Sequence, residues 1–346
     1  MKSPVVLTGG TGYLGAQILT ELLTKGYTVH LTARNPKEKL GLEWLKALMK
    51  KYEGQIKVFK GDLLDQDSFD EAMTGAKGVI HAASPFRIEG IKDAQKELID
   101  PAKKGTRNVL NAVERAETIE KVVVTSSVAA IHGDAIDINN VEASVFSEKH
   151  WNTSSSLTHQ PYSYSKKVAE QEAWKMSENK PWKLVTINPG FIVGPSVTDR
   201  TDSTSIRLVA DMLSGRFKQG VPDLHFVMVD VRDVAKAHVL ALENDEAEGR
   251  HLCAHEPMSM LDLAEGLRKQ AGDEFPKIPK KQLPHWLTYL LGPLMIGFSW
   301  TFLKNNLGIP VYVDNSKIRS SLGLEFRPMS DTLNDQIEQL KKDGAV

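Results

Sequence analysis

Cys253 is the only cysteine in the chain of 346 residues, which excludes an internal disulfide and a cysteine-based metal site and points to a reducing compartment. No excess of either charge is present. Lys and Arg number 43 against 44 Asp and Glu, a net charge of −1, so the basic footprint of a nucleic-acid binder is missing. No apolar stretch of signal-peptide length precedes Val5-Val6-Leu7, and the expected location is the cytoplasm. One uncharged run, residues 283–303, comes close to the roughly 20 residues that span a bilayer. Pro284, Gly292, Pro293 and Gly297 interrupt it, His285 stands near its start, and Lys280, Lys281 and Lys304 flank both ends without an orientation bias. A pair of short pocket-side helices is expected there, not a membrane span. What remains is ordinary for a soluble protein: 41% hydrophobic and 25% charged residues, in a chain long enough for about two domains. The expected partner is a small molecule, with no metal, no nucleic acid and no membrane.

Short β-branched runs alternate with helical patterns in the first half, which argues for a parallel sheet covered by helices on both faces. The expected strands are Val5 to Thr8, Tyr27 to Ala33, Ile56 to Lys60, Gly78 to Ala82, Lys121 to Thr125 and Lys183 to Ile187. Between the fourth and fifth, Ala94, Leu98, Ala102, Gly105, Val109 and Ala112 mark one face of a long helix. The fold class is therefore α/β, a doubly wound parallel (Rossmann) sheet. A nucleotide domain over 1–187 is expected, followed by a smaller interleaved substrate lobe over 188–346, with 226–242 returning to the first domain.

Directly after strand one stands Thr8-Gly9-Gly10-Thr11-Gly12-Tyr13-Leu14-Gly15, and Ala16, Ile18, Leu19, Leu22 and Leu23 follow at helical spacing. Glycines at a strand-to-helix turn let the backbone approach a pyrophosphate, and the helix N-terminus supplies N–H donors and dipole. A site for unphosphorylated ribose would offer Asp or Glu at the end of strand two. Here Ala33 and Arg34 stand there, with Lys37 and Lys39 close behind. A guanidinium pairs with a 2′-phosphate that a carboxylate would repel, so the expected cofactor is NADP(H).

Tyr162-Ser163-Tyr164-Ser165-Lys166 opens a helix between strands five and six. Residues four apart share a helix face, so Tyr162 and Lys166 can point into one cleft. A free phenol is protonated at neutral pH, with a pKa of about 10. A cation about 4 Å away contributes roughly 4 kcal/mol towards the phenolate at an effective dielectric near 20. Ser126-Ser127 ends strand five, on the carboxyl edge where such sheets bind ligands.

The glycine turn, Thr125-Ser126-Ser127 and Tyr162-x-x-Ser165-Lys166 together resemble the extended short-chain dehydrogenase/reductases, in the branch of dihydroflavonol reductase-like aldehyde and ketone reductases. Similar stretches recur along the chain: Lys60-Gly61-Asp62-Leu63, His81-Ala82-Ala83-Ser84-Pro85, Gly105-Thr106-Arg107-Asn108, Asn188-Pro189-Gly190 and Asp230-Val231-Arg232-Asp233. Trp151-Asn152 and Ser165 to Trp174 are similar to yeast-type methylglyoxal and ketone reductases. The resemblance implies Tyr162 as general acid, Lys166 as its pKa modulator and a ribose ligand, and Ser127, rather than Ser126, as the carbonyl-orienting donor. It implies Asp62 and Leu63 beside adenine, Ala82, Ala83 and Ser84 along the cofactor, and Pro189 to Ile192, with Phe191 between, by the nicotinamide. Two departures bear on substrate. His132 stands where dihydroflavonol reductases carry an Asn that reads flavonoid hydroxyls, and His159-Gln160-Pro161 precede Tyr162 where cinnamoyl-CoA reductases carry an Asn-Trp pair. His132 is either a polar substrate contact or a loop histidine. Phe191, Met212, Phe226, Trp286, Tyr289, Leu294, Met295 and Phe298 suggest an apolar pocket for small or medium hydrophobic aldehydes and ketones. A nucleotide-sugar epimerase or dehydratase, with Arg200, Arg207, Arg216 and Lys218 as diphosphate ligands, is the alternative enzyme, and a non-catalytic dinucleotide sensor the non-enzymatic one. A monomer or homodimer is expected.

Overall fold

The computed structural model describes residues 2–84, 90–198, 203–295 and 298–346. Pro85, Arg200 and Gly297 lie outside the described residues, as do the side chains of Leu294 and Met295. The chain runs β1 (Lys2–Thr8), α1 (Tyr13–Thr24), β2 (Tyr27–Ala33), α2 (Pro36–Lys39), α3 (Glu43–Lys51), β3 (Ile56–Lys60), α4 (Asp70–Met73) and β4 (Gly78–His81). α5 (Asp100–Ala116), β5 (Lys121–Thr125), α6 (Pro161–Ser177), β6 (Lys183–Pro189), β7 (Phe191–Val193), α7 (Thr204–Leu213), β8 (His225–Asp230) and α8 (Val231–Glu243) follow. The last stretch is β9 (Gly249–Cys253), β10 (Glu256–Ser259), α9 (Met260–Ala271), α10 (His285–Met295), α11 (Trp300–Asn306), α12 (Ser316–Leu322) and α13 (Met329–Lys342).

Seven parallel strands form the main sheet in the order β3-β2-β1-β4-β5-β6-β9, the doubly wound α/β architecture expected. Alternation along β1 divides its core residues between the two faces. Val5 and Leu7 pack with Ile18, Leu19 and Leu22 of α1 and Val234 and Ala237 of α8, whereas Val6 packs with Val109 and Val113 of α5 and Ala173 of α6. β1 pairs with both β2 and β4, so the winding direction reverses there and opens a crevice at their carboxyl ends.

The seventh strand departs from the six expected. β9 reads as a poor strand because Arg250 and His251 stand in its middle, yet both are buried. Arg250 tolerates burial because its Nε donates to Glu170 Oε1 at 2.6 Å and its guanidinium lies 3.9 Å from the Trp151 ring centre. β8 joins β7 in parallel and β10 in antiparallel fashion in a separate three-stranded sheet, while α8 packs against α1. Residues 283–303 contain α10 and the start of α11, which meet through near-parallel rings of Tyr289 and Trp300 at 6.4 Å. No helix among the described residues is long and apolar enough to cross a membrane.

Candidate active site

The end of β1 is tied to the end of β4. Thr8 Oγ1 hydrogen-bonds His81 Nδ1 at 2.7 Å and accepts from the Ala83 N–H at 3.1 Å. Gly9 then turns with φ +72°, and a Cβ there would sit 2.6 Å from the Ala83 nitrogen. A Cβ on Gly15 would meet the Gly9 oxygen at 2.0 Å, so close chain packing demands both glycines. Gly12 differs, since its nearest neighbour is the Gly9 oxygen at 3.4 Å. It is the N-cap of α1, and no side chain caps that end and no acid occupies its first turn. The N–H groups of Tyr13, Leu14 and Gly15 thus open α1 without a side-chain cap or an acid beside them, a donor set that fits a dinucleotide's pyrophosphate. The Tyr13 side chain turns elsewhere, and its buried hydroxyl donates to the Gly194 oxygen at 2.7 Å, fastening the segment after β7 to the turn.

Arg34 is exposed at the end of β2 and makes no ion pair among the described residues. Lys39 is already engaged, with Nζ 2.9 Å from Glu38 Oε1. After β3, Asp62 Oδ1 accepts from the Leu64 N–H at 3.0 Å, and the Leu63 oxygen accepts from Asn108 Nδ2 of α5 at 2.8 Å. Leu63 lines one cleft with Ala83, Ser84, Thr125 and Lys166, whereas Asp62 and Ala82 do not line it.

Tyr162 lies in the first turn of α6 and Lys166 one turn on. The Lys166 ammonium is 5.8 Å from the Tyr162 ring centre and donates to Ser84 Oγ at 3.1 Å. Burial lowers the Lys166 pKa to about 8 against the opposing pull of Glu170, and burial also pushes the Tyr162 phenol above its ordinary value. The two serines after β5 separate clearly. Ser126 is buried and donates to Glu170 Oε2 at 2.5 Å, while Ser127 is half-buried and accepts from the Ala129 N–H at 3.1 Å at the head of a short turn against α6.

Residues 5–253 match the sequence profile of the NAD dependent epimerase/dehydratase family. The chain belongs to this family. A cinnamoyl-CoA reductase of Medicago truncatula is 33% identical over 341 residues, 98% of this chain and 95% of that protein. Gre2 from Candida albicans, solved in complex with NADPH, has a TM-score of 0.78 at 29% identity over 99% of each chain. Yeast methylglyoxal/isovaleraldehyde reductase Gre2, also complexed with NADPH, has a TM-score of 0.78 at 26% identity, over 99% of this chain and 100% of that one. The chain is thus an oxidoreductase of the family's reductase branch, the branch that its serine and Tyr-Lys segments resemble.

Pro189 ends β6, Ile192 pairs with Val229 across β7 and β8, and Phe191 tilts against Phe226 with ring centres 5.1 Å apart. His132 stacks on Phe146 at 4.7 Å, and burial lowers its pKa to about 4, which keeps the ring neutral. The residue that sequence reasoning passes over is Glu170. Its buried carboxylate accepts from Arg250, Ser126, Asn188 Nδ2 at 2.7 Å, Thr186 Oγ1 at 3.2 Å and Trp174 Nε1 at 3.2 Å. The available signal is its place four residues after Lys166, on the face that carries Tyr162. Glu170→Ala strands a buried guanidinium and is expected to cost about 3–5 kcal/mol of unfolding free energy. Chemical denaturation checks this, and a loss below about 1 kcal/mol would show the network to be dispensable.

Proposed function

We propose that this reductase adds hydride from NADPH to the carbonyl carbon of small or medium hydrophobic aldehydes and ketones, with Tyr162 as general acid. The observation that carries the reading is the half-buried Lys166 ammonium, 5.8 Å from the Tyr162 ring centre and bonded to Ser84. A half-buried phenol whose pKa desolvation raises holds its proton at neutral pH, as a donor must. As the alkoxide forms, Tyr162 gives up that proton, and the neighbouring ammonium stabilises the phenolate left behind. Ser127 donates to the carbonyl oxygen and orients it, since Ser126 is occupied by Glu170. NADPH, when bound, supplies the hydride and leaves as NADP+.

In this reading Arg34 and Lys39 receive the 2′-phosphate, the turn from Gly9 to Gly15 receives the pyrophosphate, and Asp62 and Leu63 border adenine. Ala82, Ala83 and Ser84 run beside the ribose, and Pro189 and Ile192 back the nicotinamide. Residues 1–187 serve the cofactor domain and 188–346 mainly the substrate lobe; of the expected return over 226–242 only α8 packs on the cofactor domain, β8 stays with β7 and β10, and β9 also returns to the main sheet. The apolar preference rests on the lobe's cluster of buried residues, Met212 and Met258 among them, against which the partly buried Phe191, Phe226, Tyr289 and Phe298 pack.

The test is NADPH oxidation against a panel of aliphatic and aromatic aldehydes, ketones, a dihydroflavonol and a CoA ester. Simple aldehydes or ketones are expected to give the highest kcat/KM. A dihydroflavonol or CoA ester turned over about tenfold better than every simple carbonyl would overturn the substrate class.

A further inference from the structure

The start of α6, which carries Tyr162, is bonded to Asp134 in the segment after β5. Helix α6 begins from Gln160, which has φ +50° and ψ +56°, a left-handed conformation uncommon for a residue with a Cβ. Its backbone oxygen starts the helix by accepting from the Tyr164 N–H at 3.1 Å, so the direction in which α6 leaves Gln160 fixes where Tyr162 stands. Gln160 carries no glycine freedom, and the restraint comes from its side chain. Nε2 donates to Asp134 Oδ1 at 2.5 Å, and the adjacent His159 Nε2 hydrogen-bonds Asp134 Oδ2 at 2.8 Å.

The same carboxylate grips the substrate lobe. Asn305 Nδ2 donates to Asp134 Oδ2 at 2.8 Å and Asn306 Nδ2 to Oδ1 at 2.7 Å, while Asn306 Oδ1 accepts from the Ala135 N–H at 2.8 Å. Both asparagines end α11, whose Phe302 packs in the apolar cluster with Phe191 and Phe226. Asp134 is buried, and each of its oxygens takes one partner from the α6 side and one from α11. A carboxylate meets four such donors as an acceptor throughout, whereas an amide would present two hydrogens to some of them.

We propose that Asp134 is a positioning residue for the reduction: it clasps the start of α6 to α11, so that the placement of Tyr162 is set together with the wall of the substrate lobe. The proposal rests on Tyr162 being the acid. Asp134→Asn is expected to lower kcat about tenfold or more while NADPH affinity, read by cofactor fluorescence, stays within about twofold. Gln160→Gly supplies the left-handed turn without the clasp, so the double variant Asp134→Asn/Gln160→Gly is expected to regain at least about threefold of the lost kcat. A merely structural role predicts the opposite, because glycine would only loosen the chain further. Asn305→Ala removes one of the two lobe-side bonds, leaves the α6 side intact, and is expected to raise KM for the carbonyl more than it lowers kcat.

Hydrogen exchange of the amides of residues 159–166 reads the clasp without turnover: it should quicken in Asp134→Asn and slow again in the double variant. A single variant within about tenfold of wild-type kcat, or a double variant that regains neither kcat nor protection, would overturn the proposal. Wild-type protein inactive on every carbonyl would sink the functional reading instead, and the exchange measurement would still decide the clasp.

Discussion

Tyr162→Phe is expected to lower kcat by about three orders of magnitude while leaving NADPH binding close to wild type, because general acid catalysis contributes about 10²–10⁴-fold. The substitution removes one oxygen and its proton and keeps the ring against which the Lys166 ammonium lies at 5.8 Å. Its effect should therefore fall on the chemical step and not on assembly of the site. Lys166→Met removes the charge that supports the phenolate and also the donor to Ser84, so it should weaken cofactor binding as well as turnover. The two variants differ in kind. A pH profile separates them further: kcat/KM for NADPH reports ionisations of the cofactor-free enzyme, and it is expected to fall above about pH 8, where the partly desolvated Lys166 loses its proton. Turnover by Tyr162→Phe at more than about a tenth of the wild-type rate would mean that another group delivers the proton.

What the sequence makes legible is what local spacing determines. Tyr27–Ala33, Ile56–Lys60 and Lys121–Thr125 are strands over the ranges expected, because runs of apolar and β-branched residues between turn signals need no distant partner to be recognised. Tyr162 and Lys166 are legible for the same reason, four residues apart on one helix. β9 is not, since Arg250 is compatible with a buried strand only because Glu170, 80 positions away, neutralises it. β8 reads as a strand, but nothing in its six residues says that it leaves the main sheet for β7 and β10. The Asp134 clasp is the extreme case: its partners lie 25, 26, 171 and 172 positions away, and none is unusual alone. Hydrogen-bond complementarity between remote segments leaves no periodic trace in a sequence. Glu170 falls between these cases, visible by its spacing from Lys166 and explicable only by its partners.

Arg34→Asp is expected to reverse the cofactor preference, lowering kcat/KM with NADPH by about a hundredfold and leaving that with NADH unchanged or improved. A hydrogen bond to a charged group is worth about 1.5–3 kcal/mol, and each 1.4 kcal/mol is tenfold, so loss of the guanidinium accounts for one to two orders of magnitude. The new carboxylate adds repulsion towards the 2′-phosphate and offers an acceptor to a 2′-hydroxyl. Neighbouring cations cannot fully replace Arg34. Lys39 already bonds Glu38 at 2.9 Å, and an Asp at position 34 would add a second negative charge beside that pair. Arg34, by contrast, stands exposed at the strand end without an ion pair among the described residues, ready to meet a phosphate that arrives with the cofactor. Steady-state kinetics with both cofactors at saturating carbonyl substrate measures the ratio. Wild-type enzyme that used NADH and NADPH with equal efficiency would remove the basis of this reading, and an Arg34→Asp variant that kept its NADPH preference would move the phosphate site to other residues.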